Sequence, residues 1–298
     1  MTRSAPNRDA LRGTLLVGAA AALWATFGLF AKRLYTDGFT PAELASVRAF
    51  VAFVVVFPCA LLMRAPLRLP PRSTVFLVTF GVVGFAAFEV VYLAAIEAAP
   101  VTLAAALLYT APAFVVIIAR FTLGEAVNAS RLAALALVLL GVLLVTGAAR
   151  ALTGGVAMLS TRGVVLGLAA GLSYAIYTVL SKAAMKLTSP LPALVWSFGA
   201  ATLVLMLFVP PFEPLARNPS SLPWLIAIGI VPTLIPYALF LRALRSMEAG
   251  AASMIASIEP IIAALLAVTL LGERPHLEQG VGILCIVVAA IITEKKAP

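Results

Sequence analysis

Apolar runs of about 20 residues, each long enough to cross a bilayer core, recur along the whole chain. Four of them, over 13–31, 98–119, 132–149 and 163–181, carry no charged residue at all. Such a segment in lipid must satisfy its backbone N–H and C=O groups internally. An α-helix does this alone, whereas a strand needs a closed barrel. Barrel strands would alternate apolar and polar residues over about ten positions, and these runs do not. Ten segments follow, over 13–34, 41–63, 73–97, 100–121, 129–148, 162–185, 190–210, 222–245, 249–271 and 275–293. The expected fold class is an all-α integral membrane protein of ten transmembrane helices.

Composition agrees with a lipid environment. Of 298 residues, 63% are hydrophobic and only 11% are charged, too few charges to cover the surface of a soluble domain. The formal net charge of +9 would suggest nucleic acid in a soluble chain. Here the basic residues are spread thinly at the ends of apolar runs, where they set topology and meet anionic headgroups. With the N-terminus placed in the cytoplasm, 14 Lys and Arg fall on that side and 6 on the other. The bias puts both termini inside. The stretch 1–12 is polar and basic, and the run after it is too long for a signal-peptide core, so it reads as the first permanent helix.

Several chemistries lack raw material. Cys59 and Cys285 are far apart inside apolar runs, and His276 is the single histidine. A disulfide framework, a zinc site and a Cys/His nucleophile pair are therefore not expected. The aspartates, Asp9 and Asp37, lie in the N-terminal tail and a loop, so an intramembrane aspartate pair is missing too. No HExxH segment, Ser/His pair or filter-like segment is present. The chain reads as neither an enzyme nor a channel, and no cofactor is expected.

An internal repeat organises the ten segments. Pro112 precedes Leu123, Gly124 and Glu125 by the same spacing with which Pro260 precedes Leu271, Gly272 and Glu273, at a constant offset of 148. Arg12, Gly13 and Lys32 match Arg162, Gly163 and Lys182 at an offset of 150. Two units, 12–148 and 162–293, thus hold five helices each. An odd number makes the second copy enter the membrane from the opposite face. Inverted repeats of this kind characterise secondary transporters, whose halves surround a midplane site and exchange roles in alternating access.

The two five-helix halves, the Leu-Gly-Glu triplets that end helices four and nine, and Arg48 early in helix two after Pro41 resemble the EamA domains of the drug/metabolite transporter superfamily. The resemblance covers nearly the whole chain and is greatest to the amino-acid exporters of that group. It implies export of aromatic and other neutral amino acids across the inner (cytoplasmic) membrane of a bacterium. Ala111 and Tyr174 stand where tryptophans are expected in members that export aromatic amino acids, which implies a broader range. The same fold could also move cationic drugs or other small metabolites. Nucleotide sugars would call for several cavity cations, and Arg48 is the main one on offer.

Ionisable side chains within lipid cost about 2.5–3.5 kcal/mol each on insertion scales and usually face a cavity or a partner. Glu89 lies in helix three on one stripe with Phe85 and Tyr92. The repeat pairs it with Tyr237. It is expected either to accept a substrate ammonium or carry a proton, or to pair with an interior arginine. Arg48 could hold a substrate carboxylate or reach to the outer interface. Trp24, Tyr109 and Tyr174 stand at similar depth, with Thr178 one turn beyond Tyr174; they are expected to line the cavity with Tyr92 and Tyr237. Aromatic rings with one polar handle suit an amphipathic solute. Glu259 precedes Pro260, which frees a carbonyl near Ala256. Pro112, Pro232 and Pro236 with that pair are expected to bend helices for coupling or gating. Lys32 and Lys182 are expected to reach for the interface, and Glu125 and Glu273 to cap the helix that follows each. Trp196 and Trp224 are expected to pack or to mark the interface. The partners implied are amino acids and lipid, with protons as a candidate coupling ion.

Overall fold

Five crossings start where the sequence supplies a cap or a proline. The computed structural model describes residues 8–99, 101–146, 160–271 and 277–294. Thr40 and Glu43 form a reciprocal capping box, with the Thr40 N–H donating to Glu43 at 2.7 Å and the Glu43 N–H to the Thr40 hydroxyl at 3.2 Å. Pro41 then opens the second span, Pro41–Leu62. Asn128 accepts the Arg131 N–H at 2.9 Å and starts the fifth span, Ala129–Val145. Ser160 accepts the Gly163 N–H at 3.0 Å and starts the sixth, Thr161–Leu187. Pro71 and Pro190 open the third and seventh.

The described residues are helical throughout, without strands. Seven stretches are long and apolar enough to cross a membrane, and three shorter apolar helices, Ala129–Val145, Pro190–Met206 and Leu277–Thr293, complete ten. The expected segments match these to within a few residues. The chain at 150–159 and the triplet residues Gly272 and Glu273, with Arg274 and His276, lie outside the described residues. The linker between spans seven and eight folds into a short helix, Phe212–Arg217, and a single turn, Pro219–Ser221.

Five spans are irregular, and four of the irregularities obey the repeat. The fourth span is Val101–Leu108 followed by Ala111–Thr122; the ninth is Ala249–Ala256 followed by Glu259–Leu271. Both interruptions are 148 residues apart at each edge. The cause is local. Pro112 has no N–H for the Leu108 carbonyl four residues back, and Pro260 has none for that of Ala256. The third span widens to a π-helical stretch at Phe80–Ala86 and the eighth at Ile230–Leu234, again in matched positions. The eighth span is therefore widened around Pro232 without being interrupted. The first span breaks at Thr26, between Arg8–Ala25 and Phe27–Thr36, while the matching sixth runs unbroken. The halves are thus alike in plan and unequal in detail.

Small residues bring spans together. Gly141 of the fifth and Gly282 of the tenth face each other so closely that a Cβ on either would meet the other's carbonyl oxygen, at 2.7 and 2.6 Å. The main core gathers Val17, Ala52, Phe80, Phe85, Tyr177, Phe198, Tyr237 and Phe240 from both halves.

Candidate functional site: a polar cavity above an aromatic floor

A cavity of about 150 Å³ lies among spans one to four, six, eight and nine. Tyr35, Pro41 and Ile96, at the span ends away from the N-terminus, line its upper part. Trp24, Tyr237 and Pro232 line its lower part. It is therefore approached from the face opposite the N-terminus.

Arg48 and Glu89 sit on its wall as a direct ion pair, with only 8% and 5% of their surfaces exposed. Arg48 does not reach for the interface. Its guanidinium lies 5.0 Å from the Phe27 ring centre and 5.6 Å from that of Phe85. Its Nε is buried without a protein partner. Glu89 thus pairs with an interior arginine while it lines the cavity. Glu259, on the first turn of the lower-numbered edge of Glu259–Leu271, also lines the cavity. Tyr109 lines the same cavity beside it, and no cation pairs with Glu259 among the described residues.

Trp24, Tyr92, Tyr109, Tyr174 and Tyr237 all border the same cavity, together with Phe88, Tyr35 and Phe27. Thr178 does not. It is fully buried and donates to the Tyr174 carbonyl at 3.0 Å, because one further helical turn carries it below the floor. Pro112, Pro236 and Pro260 are buried away from the lining, whereas Pro232 contributes to it.

The floor is a layer of rings centred on Tyr237. Trp24, Phe85, Tyr177 and Phe198 surround it at centroid distances of 5.5, 5.2, 5.3 and 5.6 Å. Phe80 and Phe240 extend the layer around Tyr177. Beneath it, on the N-terminal face, a second closure is polar. Glu125 accepts the backbone N–H groups of Ala249 at 2.6 Å and Gly250 at 3.0 Å. It therefore caps the ninth span and not the helix that follows it, whose cap is Asn128. Gly124, at φ +74°, takes the left-handed conformation that turns Glu125 back toward the bundle. Lys182 does not reach for the interface either: it donates to the carbonyls of Leu244 at 2.8 Å and Met247 at 2.9 Å, at the end of the eighth span. Arg131 pairs with Glu248 and also donates to the Ala126 carbonyl.

Among the described residues, ion pairs and hydrogen bonds tie one flank of the mouth. Arg217 pairs with Glu43, and Asp37 accepts from Arg33 and, at 2.5 Å, from the Ser221 hydroxyl. The Ser221 hydrogen bond first, and then Arg33, hold Asp37 below the usual carboxylate range. Lys32 is exposed, and Trp224 is exposed with its edge on Phe30. Trp196 donates its indole N–H to the Leu67 carbonyl at 3.2 Å.

Sequence reasoning missed the ring layer beneath Tyr237 and the way the polar closure joins distant spans. Only the repeated Leu-Gly-Glu triplet pointed toward the second.

Ten apolar helices, a repeat written into their irregularities and a cavity open to one face define a multi-pass membrane transporter. The chain belongs to the EamA-like transporter family, whose model matches twice, over 11–147 and 161–294. It is 32% identical over 270 residues to an uncharacterized transporter of Archaeoglobus fulgidus, covering 91% of this chain and 92% of that one. An uncharacterized transporter of Clostridium kluyveri is 23% identical over 297 residues, covering 96% and 95%. The uncharacterized transporter YdfC of Bacillus subtilis is 25% identical over 244 residues, covering 81% and 78%. A solved chain described as "Crystal structure of protein" shares the fold, with a TM-score of 0.80 and 22% identity over 94% of this chain and 95% of that one.

Proposed function

We propose that this protein exports neutral amino acids, aromatic ones among them, from the bacterial cytoplasm by alternating access, with both termini on the cytoplasmic side. The observation that carries this reading is that one cavity offers a cation, Arg48, and a separate carboxylate, Glu259, beside aromatic rings. A zwitterion needs both signs at once. Its carboxylate meets Arg48, which Glu89 orients and neutralises. Its ammonium meets Glu259, with Tyr109 steering that carboxylate. The side chain lies among Trp24, Tyr92, Tyr174 and Tyr237. Glu259 is also the group on which a proton could ride in exchange.

A cavity of about 150 Å³ is below the roughly 300–1,000 Å³ of pockets that enclose drug-sized ligands. Size therefore favours an amino acid over a bulky drug. A cationic solute is the competing reading, because Glu259 and the rings would hold it, but it would leave the buried Nε donor of Arg48 without a partner in the cavity. The test is uptake of a panel of radiolabelled amino acids into liposomes holding only this protein, with and without a pH gradient. Saturable uptake of neutral amino acids, abolished in Arg48→Met, is expected. Uptake of organic cations that survives Arg48→Met, with no amino-acid transport, would transfer the function to cation export.

A further inference from the structure

We infer that the N-terminal face carries a second binding site, for a phosphate group, built from Arg12, Arg242 and Arg245. The three arginines line one cavity of about 380 Å³ with Leu16, Pro190 and Ser246. At about 30 Å³ per water molecule, that is room for about a dozen waters, or for a phosphate ester and part of its hydration. The site lies where the start of the first span, the start of the seventh and the end of the eighth converge. It is separate from the central cavity and independent of the substrate assigned there.

Three observations point to an anion. First, the placement is not that of ordinary topology charges. Arg12, Arg242 and Arg245 are exposed, as Arg68, Arg72 and Arg120 on the same face are, but these three share one concave surface. Arg242, on the last turn of the eighth span, and Arg245, in the turn that follows it, line the same concavity as Arg12. Second, no carboxylate lines the cavity among the described residues. Two acids on the same face are committed elsewhere: Glu248 to Arg131, and Glu125 to the backbone of Ala249 and Gly250. Three like charges gathered around one concavity repel one another, and a bound anion relieves this. Third, guanidinium is the side-chain group whose forked donors match phosphate oxygens two at a time. The depth suits a headgroup, since the site sits at the membrane end of three spans, and basic pockets between helices at that depth bind anionic lipid headgroups. A soluble phosphate ester carries the same chemistry.

The test uses the full-length protein in an uncharged detergent, titrated separately with short-chain phosphatidylglycerol, short-chain phosphatidylcholine and inorganic phosphate. Thermal unfolding and equilibrium binding are the readouts. Saturable binding of phosphatidylglycerol, weaker for phosphatidylcholine, with a raised unfolding temperature, is expected. Removing charge should weaken it by about fivefold per arginine, so Arg242→Gln with Arg245→Gln should cost about 25-fold. Arg68→Gln, on the same face outside the cavity, should bind as the unaltered protein does. Inorganic phosphate binding with the same sensitivity, without any lipid effect, keeps the site and assigns it a soluble occupant. If the double variant fails to fold, Arg242→Lys keeps the charge but loses the fork, and a several-fold loss is expected. The inference is overturned if neither phosphatidylglycerol nor phosphate binds saturably, if Arg242→Lys or the double variant binds undiminished, or if Arg68→Gln weakens binding as much.

Discussion

A guanidinium and a carboxylate taken out of water must replace their lost hydration, and Arg48 and Glu89 do so for one another. Breaking such a pair leaves one buried charge uncompensated, at a cost of about 3–5 kcal/mol, while replacing both partners by apolar residues is often neutral. Glu89→Ala should therefore lower the unfolding temperature markedly. Arg48→Met combined with Glu89→Leu should recover most of that loss and remain inactive in liposome uptake. Stability and transport would then be separated, as expected if the pair is kept for the substrate and not for the fold. A double variant that transports normally would remove Arg48 from the site. Glu259 gives a second prediction at this scale. Glu259→Gln keeps shape and loses charge, and a lost charge-assisted hydrogen bond is worth about 1.5–3 kcal/mol, roughly ten- to a hundredfold in affinity. Amino-acid affinity, measured by competition for uptake, should fall by that factor while unfolding changes little.

At the scale of elements, the interrupted fourth and ninth spans place Tyr109 and Glu259 side by side. Each interruption falls where a proline leaves the carbonyl four residues back without its donor. Pro260→Ala restores an N–H to the Ala256 carbonyl and lets one helix run through Ser257 and Ile258. The protein should remain folded, with unchanged or slightly raised stability, because a helix interior favours alanine over proline by about 3 kcal/mol. Uptake rate should fall more than substrate affinity, since the two half-helices can no longer tilt separately. Equal rates for the variant and the unaltered protein would show that the break shapes the bundle without moving. These breaks were legible in the sequence because Pro112 and Pro260 announce a missing donor at a fixed distance. The spans themselves were legible because lipid demands length and apolarity together. The widened turn at Phe80–Ala86 was not, since its third-span segment holds Gly81 and Gly84 but no proline. Nor could the sequence pair Arg48 with Glu89 across 41 residues, or send Glu125 to Ala249 instead of the adjacent helix. Such partners depend on how spans pack, and apolar periodicity is silent about which neighbour a polar side chain will meet.

For the whole molecule, one face is open and the other closed twice, by rings around Tyr237 and by the polar contacts of Glu125, Lys182 and Arg131. On the closed side, the Tyr177 and Ser181 hydroxyls are buried and face only one another across one helical turn. Opening the N-terminal face would hydrate both. The polar contacts of Glu125, Lys182 and Arg131 hold the closed side shut. Weakening them should shift the population toward the opposite state. Glu125→Ala removes two charge-assisted bonds to the start of the ninth span, and 1.4 kcal/mol already corresponds to a tenfold change in the ratio of states. A thiol introduced by Ser181→Cys, with Cys59→Ser and Cys285→Ser, reports on that ratio. A membrane-impermeant maleimide applied to the N-terminal face should label it slowly in the otherwise unaltered protein. Labelling should be at least tenfold faster with Glu125→Ala, and faster again with Lys182→Ala added. A thiol at the mouth, introduced by Ile96→Cys and probed from the other face, should become less reactive in the same variants, because a single site cannot stay open on both sides. Faster labelling at both positions would indicate loosening of the fold instead of exchange between states. Unchanged labelling at Ser181→Cys would leave the aromatic layer alone as the closure.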